Sequence, residues 1–372
     1  MKKIKVCHLT SVHPQFDIRI FRKQLVSLAN AGYDVYQISQ GESGKKDGVN
    51  LIGLGEIPDS RLKRILFFTR KIYQAALELD ADLYHIHDPE LLPFAVKLAK
   101  QGKIVIFDSH ENVPGQIAEK TYIPKFFRNI IANIYASYEK RAVRKLAGAI
   151  TVTPNLTKIL KSYNPNTVTI TNYPLLSEAK EDEVRQVDVK QFKFCFPGLI
   201  SEEWCHLELL EAIRDLDVEY TLCGLYHDDY LPLLKEHPSW AKVNYLGVVT
   251  RDDVIEIINS NNVGIALARK MPNTFWDEGT LGNTKLFEYM LHKCPVCCTN
   301  FTLWQEIVEQ YDCGICVEPD QPEQIKEALI WFMDNPEEAE KMGERGYQAI
   351  IDKYNWSTQE TILVDFYSKL LT

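Results

Sequence analysis

No stretch of this 372-residue sequence offers the roughly 18 uninterrupted apolar residues that a membrane span needs. Positive charge is not in excess either. Its 42 Lys and Arg stand against 51 Asp and Glu, a net charge of −9, which argues against a general nucleic-acid binder. There is no low-complexity tract, collagen period or solenoid repeat; 45 % hydrophobic and 25 % charged residues are ordinary for a globular chain. The opening Met1-Lys2-Lys3-Ile4-Lys5-Val6-Cys7-His8 is charged and then only briefly apolar, too short for a secretory signal. A cytoplasmic protein is expected, long enough for two domains with a core each.

Of what is present, the nine cysteines mislead first. Cys294-Pro-Val-Cys297 and Cys313-Gly-Ile-Cys316, with fifteen residues between them, match a zinc-ribbon spacing. Both pairs fall in strand-like segments, 295–299 and 314–318. Along a strand, residues i and i+3 point to opposite faces, so reduced core thiols are expected there and no metal site.

The first half of the chain alternates apolar strand-like runs with amphipathic helices. Strands are expected at 4–10, 34–39, 83–87, 104–109, 149–153 and 168–171, and helices at 18–31, 61–79, 90–100, 125–146 and 156–162. Residues 175–191 are rich in Glu, Asp and Lys without hydrophobic period, as a linker would be. A second alternation starts at 192. The expected fold is α/β: two Rossmann-like, doubly wound parallel-sheet domains facing a central cleft, with ligands at the carboxyl ends of the strands. The expected boundaries are 1–172, a linker at 173–191, 192–354, and a closing helix at 355–372 that packs back on the first domain.

Several stretches, in order along nearly the whole chain, resemble the GT-B-fold glycosyltransferases of family 4. They are His13-Pro-Gln-Phe-Asp17-Ile-Arg19, His85-Ile-His87-Asp88-Pro89-Glu90, Asp108-Ser-His110-Glu111, Thr284-Lys285-Leu-Phe-Glu288-Tyr-Met290, Gly314-Ile-Cys-Val-Glu318-Pro319 and Tyr354-Asn-Trp356-Ser357. The resemblance implies a retaining transferase that moves a sugar from a nucleotide-diphosphate sugar to an acceptor, with no obligatory metal and no other cofactor. It implies the roles that follow. His110 and Glu278 are the catalytic candidates. Gly198, Ser201, Thr284, Lys285 and Glu288 are the donor-binding candidates, with Glu288 on the ribose and Lys285 on the diphosphate. On the acceptor side stand His13, Asp17, Arg19, Asp88 and Glu111, for which loop-pinning is an equal reading.

The sequence also departs from the family. His13-Pro14-Gln15-Phe16 stands where an early Gly-Gly loop belongs, and Glu202-Glu203-Trp204-Cys205-His206 carries no arginine where a basic pair is expected. Position 280, the place of the first glutamate, is threonine; Glu278 lies two residues off, and His206, Arg269 or Lys270 are possible replacements for the missing cation. These departures leave two further readings: a non-catalytic glycosyltransferase-like subunit supporting a partner, and a nucleotide-sugar epimerase using His110, Glu111 and Glu278. Two basic amphipathic segments, 61–71 and 125–145, suggest peripheral contact with an anionic membrane and hence a lipid-linked glycan acceptor of a surface polysaccharide. Core-packing helices with solvated faces are the plainer reading of the same pattern.

Overall fold

The structure is a computed structural model that describes residues 3–120, 123–179, 185–187, 191–227 and 229–372. The side chain of Lys125 and much of the expected linker, at 180–184 and 188–190, lie outside the described residues. The chain divides into two compact units, residues 1–172 with 356–372, and residues 173–355.

The first unit is built on eight strands: β1 (Lys5–Leu9), β2 (Asp34–Ser39), β3 (Gly44–Lys46), β4 (Val49–Gly53), β5 (Leu83–Ile86), β6 (Ile104–Ser109), β7 (Gly148–Thr151) and β8 (Thr167–Thr169). Their order is β3-β4-β2-β1-β5-β6-β7-β8, and every pairing except β3–β4 is parallel. Strands such as Leu83–Ile86 are buried at each residue, as parallel strands covered on both faces must be. The β3–β4 hairpin, which the alternation did not suggest, turns through Asp47 (φ 49°) and Gly48 (φ 81°). An Asp-Gly pair with both residues left-handed is the two-residue turn whose twist suits a hairpin.

The segment expected as one helix at 18–31 begins as a wide-turned π helix, Ile18–Leu25, capped by the Asp17 carboxylate on the amide of Ile20 (2.9 Å). It continues as Val26–Asn30. A wide turn also opens the helix expected at 61–79, at Arg64–Phe68. The closing helix Trp356–Leu371 belongs to this first unit: Trp356 donates its indole N–H to Ser27 (2.9 Å), and Gln359 accepts from the amide of Thr171.

The second unit holds β9 (Phe192–Pro197), β10 (Val218–Cys223), β11 (Val243–Gly247), β12 (Val263–Ala266), β13 (Val296–Thr299) and β14 (Gly314–Val317). All are parallel, in the order β11-β10-β9-β12-β13-β14. The chain enters at β9, runs outward to β11, then returns to β12 on the other side of β9. The β9/β12 boundary is therefore the switch point, where such sheets open a crevice at their carboxyl ends.

The Cys294–Cys297 pair lies as the strand argument requires, on opposite sides of the sheet, whereas Cys313, just before β14, and Cys316 pack against the same core. Cys297 is packed in the core on one side of the sheet, and Cys294, Cys298 and Cys313 in the core on the other. Cys298 and Cys316 approach to 3.6 Å between sulfurs as thiols. Burial pushes the thiols of Cys297 and Cys313 up to about 12, away from the thiolate a zinc site requires.

Candidate active site

In the first unit the chemistry gathers at the carboxyl ends of β1, β5 and β6. Parallel pairing sets His8 of β1 beside His85 of β5, and Ile86 beside Phe107 of β6. Side chains two apart share a face, so His8, His85, His87, Asp108 and His110 all project to one side of the sheet. They meet there. His110 Nε2 lies 3.2 Å from His87 Nδ1, His87 Nε2 lies 2.9 Å from His8 Nδ1, and His8 Nε2 lies 2.9 Å from the Tyr367 hydroxyl. That hydroxyl is also 2.7 Å from His85 Nδ1.

Asp108 is completely buried beneath these rings. Its carboxylate accepts a forked pair of bonds from Arg19 (2.9 and 3.1 Å) and one from Gln24 (2.7 Å). Burial by itself would raise its pKa, but Arg19 and the neighbouring imidazoles outweigh it and hold the carboxyl well below its usual range. His8, His85 and His87 go the other way. Desolvation outweighs the upward pull of Asp108 and lowers all three, so they are neutral at physiological pH. His87, Asp108 and His110 also offer three ligand atoms 3.2 to 3.5 Å apart, a spacing a cation could use. However, Asp108 Oδ2 already accepts from Gln24 and from the fixed charge of Arg19, which opposes a second cation there.

The acceptor-side candidates divide on this geometry. Arg19 is 5 % exposed and spends its donors on Asp108 and the carbonyl of Ile170, so it braces the cluster from inside rather than facing solvent. Asp17 is the helix cap already described. Asp88 is buried and accepts from Thr10 Oγ1 (2.9 Å) and from the amide and hydroxyl of Ser11. Its other oxygen lies 3.5 Å from His13, whose ring sits 5.0 Å from that of His110. Glu111 is exposed and takes a bond from Gln116. Thus His13, Asp88 and His110 form one continuous edge, and Glu111 extends it.

In the second unit, Gly198 follows β9 directly at the switch point. Lys285 begins the helix Lys285–Leu291 and is buried, its Nζ donating to the carbonyl of Pro197 (2.5 Å) and lying over the rings of Phe196 (4.2 Å) and Trp204 (5.1 Å). A Cβ on Gly198 would fall 1.9 Å from that nitrogen, so glycine is what lets the ammonium reach the backbone. Desolvation brings the lysine down to about 8, against a partial pull upward from Glu288. Among the described residues the Ser201 hydroxyl, on the same loop, is buried without a hydrogen-bond partner. Glu288 accepts from Arg251 (3.2 Å) and Thr284 (3.4 Å), both on Oε1; among the described residues Oε2 accepts no hydrogen bond.

Glu278 closes a short turn, Trp276–Glu278, entered through Phe275 (φ 59°) and Trp276 (φ 55°) and left through Gly279 (φ 77°). Gly279 is packed so closely on Phe301 that a Cβ would meet it at 2.4 Å, and the Thr280 carbonyl is held by the indole of Trp304 (2.7 Å). The replacements weighed for the missing arginine are occupied elsewhere. His206 is buried and neutral, burial lowering it to about 3; Arg269 pairs with Glu208 (2.6 Å), and Lys270 with Glu318 and Asp277. The cation that does reach Glu288 is Arg251, which also lies 3.5 Å from Glu178. Sequence reasoning missed it. The available signal was its place just after Thr250, whose capping box with Asp253 starts the helix Arg251–Ser260.

Two doubly wound sheets, each with polar side chains at its carboxyl edge, define the GT-B class of glycosyltransferase. Residues 23–172 match the family Glycosyltransferase Family 4, and residues 177–349 match Glycosyl transferases group 1. The chain is a glycosyltransferase and belongs to family 4. A sucrose-phosphate synthase from Thermosynechococcus elongatus superposes with a TM-score of 0.77 at 13 % identity, over 99 % of both chains. Anabaena HepE, solved with UDP-glucose, gives 0.71 at 12 % identity, over 98 % of this chain and 100 % of that one. WaaG, a glycosyltransferase of lipopolysaccharide biosynthesis, gives 0.70 at 14 %, over 98 % and 99 %. At these identities the likeness speaks to fold alone. No curated protein sequence matches the chain significantly.

Proposed function

We propose that this chain is a retaining glycosyltransferase that takes a nucleoside-diphosphate sugar as donor and extends a lipid-linked glycan of a surface polysaccharide in the cytoplasm. The observation that carries the donor half is the group at the β9/β12 switch point. Gly198 gives the buried Lys285 access to the loop, and Glu288 keeps Oε2 open one helical turn further on. Lys285 is the cation for the diphosphate, Glu288 accepts from the ribose hydroxyls, and Thr284 and Ser201 line the same loop. His110 engages the transferring sugar, with Glu278 as its second catalytic candidate. The C1–O bond to the diphosphate breaks, a C1–O bond to the acceptor hydroxyl forms on the same face, and the hydroxyl proton passes to the departing phosphate oxygen. No enzyme nucleophile is needed. UDP is the first nucleotide to try, because Anabaena HepE was solved with UDP-glucose.

The test is calorimetric titration with UDP. Wild type should bind, and Glu288→Ala should lose about 1.5–3 kcal/mol of that binding, roughly 10- to 150-fold. Lys285 adds a pH signature. Free, it titrates near 8 because burial disfavours its charge; beside a diphosphate it should be charged. Binding at pH 8.5 should therefore take up close to one proton, seen by comparing buffers of different ionisation enthalpy, and at pH 6.5 almost none. Affinity should fall as pH rises above about 8. Failure of UDP and of every other nucleotide to bind would defeat this reading.

The lipid-linked acceptor rests on the two amphipathic segments. Leu62, Leu66 and Phe67 are 70, 61 and 61 % exposed among exposed Arg61, Lys63, Arg70 and Lys71, while Arg64 is held by Glu90 (2.9 Å). In the helix Lys125–Val143, Phe126 and Ile134 are 75 and 64 % exposed. Apolar side chains this exposed beside cations suit an anionic interface. The protein should sediment with phosphatidylglycerol vesicles and not with neutral ones. Phe126→Asp with Phe67→Asp should abolish sedimentation without changing UDP binding.

A further inference from the structure

The histidine cluster has a direction. Asp108 is charged and buried, and His85 Nε2, also buried and without a hydrogen-bond partner among the described residues, lies 3.7 Å from its Oδ2. A lone pair on that nitrogen would face a carboxylate; an N–H is attracted to it. His85 is neutral, so a proton on Nε2 leaves Nδ1 as an acceptor, and the Tyr367 hydroxyl must donate to it. The phenol oxygen then accepts from His8 Nε2, so His8 Nδ1 accepts from His87 Nε2. His87 Nδ1, itself 3.5 Å from Asp108 Oδ2, is the one lone pair turned toward the carboxylate; it accepts from His110 Nε2, whose N–H also faces Asp108 at 3.4 Å. This direction sets two N–H groups and one lone pair against Asp108, where the reverse would set one N–H and two lone pairs. Each link forces the next, and the chain begins and ends at one carboxylate.

We propose that Asp108, His85, Tyr367, His8 and His87 form a one-way hydrogen-bond circuit that fixes the tautomer of His110, with the proton on Nε2 and Nδ1 presented as an acceptor. Tyr367 is the positioning residue. It stands on the closing helix, is completely buried, and is the only oxygen joining His8 to His85 among the described residues. The consequence for chemistry is specific: His110 receives a hydrogen bond from a substrate hydroxyl and does not donate one to an oxyanion. This deepens the reading of His110 as the sugar-contacting histidine and rests on it for its catalytic meaning, though not for its existence.

Nitrogen NMR of protein labelled at histidine reads the tautomer of each ring without any assay of transfer, and His110→Gln assigns the signal. At pH 8 the wild type should show His110 as a single Nε2–H tautomer. Tyr367→Phe cuts the circuit at its hydroxyl and should cost the single-tautomer pattern at His110, three links away, with UDP affinity unchanged. In a transfer assay it should lower kcat and leave KM for the donor alone. A His110 proton on Nδ1 in the wild type overturns the proposal, a result that needs no variant to fold. So does a folded Tyr367→Phe with the wild-type His110 pattern. If the tautomer is as stated but His110→Gln transfers sugar normally, the catalytic reading of His110 falls and the circuit stands.

Discussion

Replacing Gly198 with alanine is expected to weaken UDP binding by roughly 10- to 100-fold while shifting the melting temperature by no more than a few degrees. The added Cβ would sit 1.9 Å from Lys285 Nζ and 2.8 Å from its Cε, well inside contact. Gly198 is not in the left-handed region, so alanine brings no backbone strain. The obstacle is the far end of a flexible side chain, which moves more cheaply than backbone does. The lysine swings away, the fold survives, and the cation proposed for the diphosphate is lost. Lys285→Ala should cost a similar amount, and the double variant little more than either, because both remove one interaction. Calorimetric Kd values across that cycle, with melting temperatures beside them, decide the matter. Gly198→Ala binding UDP as well as wild type would mean that Lys285 is not what holds the phosphates.

How much of this was legible in the sequence varies with the range of the interaction. The βα alternation, the exact span of β2 and β6, and the burial of Cys294 and Cys297 on opposite faces follow from local periodicity, which needs no knowledge of what packs where. His85-Ile-His87 and Asp108-Ser-His110 also carry the two-residue spacing that puts each pair on one face. What the spacing could not supply was register. Only the pairing of His8 with His85, and of β5 with β6, brings the five side chains level. Tyr367 was beyond reach altogether, 359 residues from His8 and on a helix whose packing no local pattern records. Arg19 shows the converse failure. A charged residue in a loop-like motif reads as surface, yet here it is drawn inward by a carboxylate that would be costly to bury alone. Arg251 was missed for a similar reason: its meeting with Glu288 spans 37 residues and two separate helices.

Asp108→Asn should be the most destabilising single change in the first unit, at roughly 3–5 kcal/mol, because it leaves the Arg19 guanidinium buried without its counter-charge. For a unit of this size that is a fall of about ten degrees or more in melting temperature. Arg19→Met alone should do comparable damage by stranding the carboxylate. The pair together should recover a large part of the loss, since a buried ion pair replaced whole by apolar or neutral groups costs far less than one that is broken. The pH dependence has a definite sign. The Asp108 pKa in the folded protein lies well below its ordinary value, so its contribution is complete above about pH 4, where the unfolded side chain ionises, and is lost as pH falls toward the folded value. Wild type should therefore lose stability steeply below pH 4, and Asp108→Asn should do so less steeply, since part of that proton uptake is gone. Melting curves from pH 7 to pH 3 on the four proteins measure both effects. Equal melting temperatures for Asp108→Asn and wild type would show that the ion pair does not hold the unit together. In that case the carboxylate's purpose lies wholly in orienting the imidazoles around it.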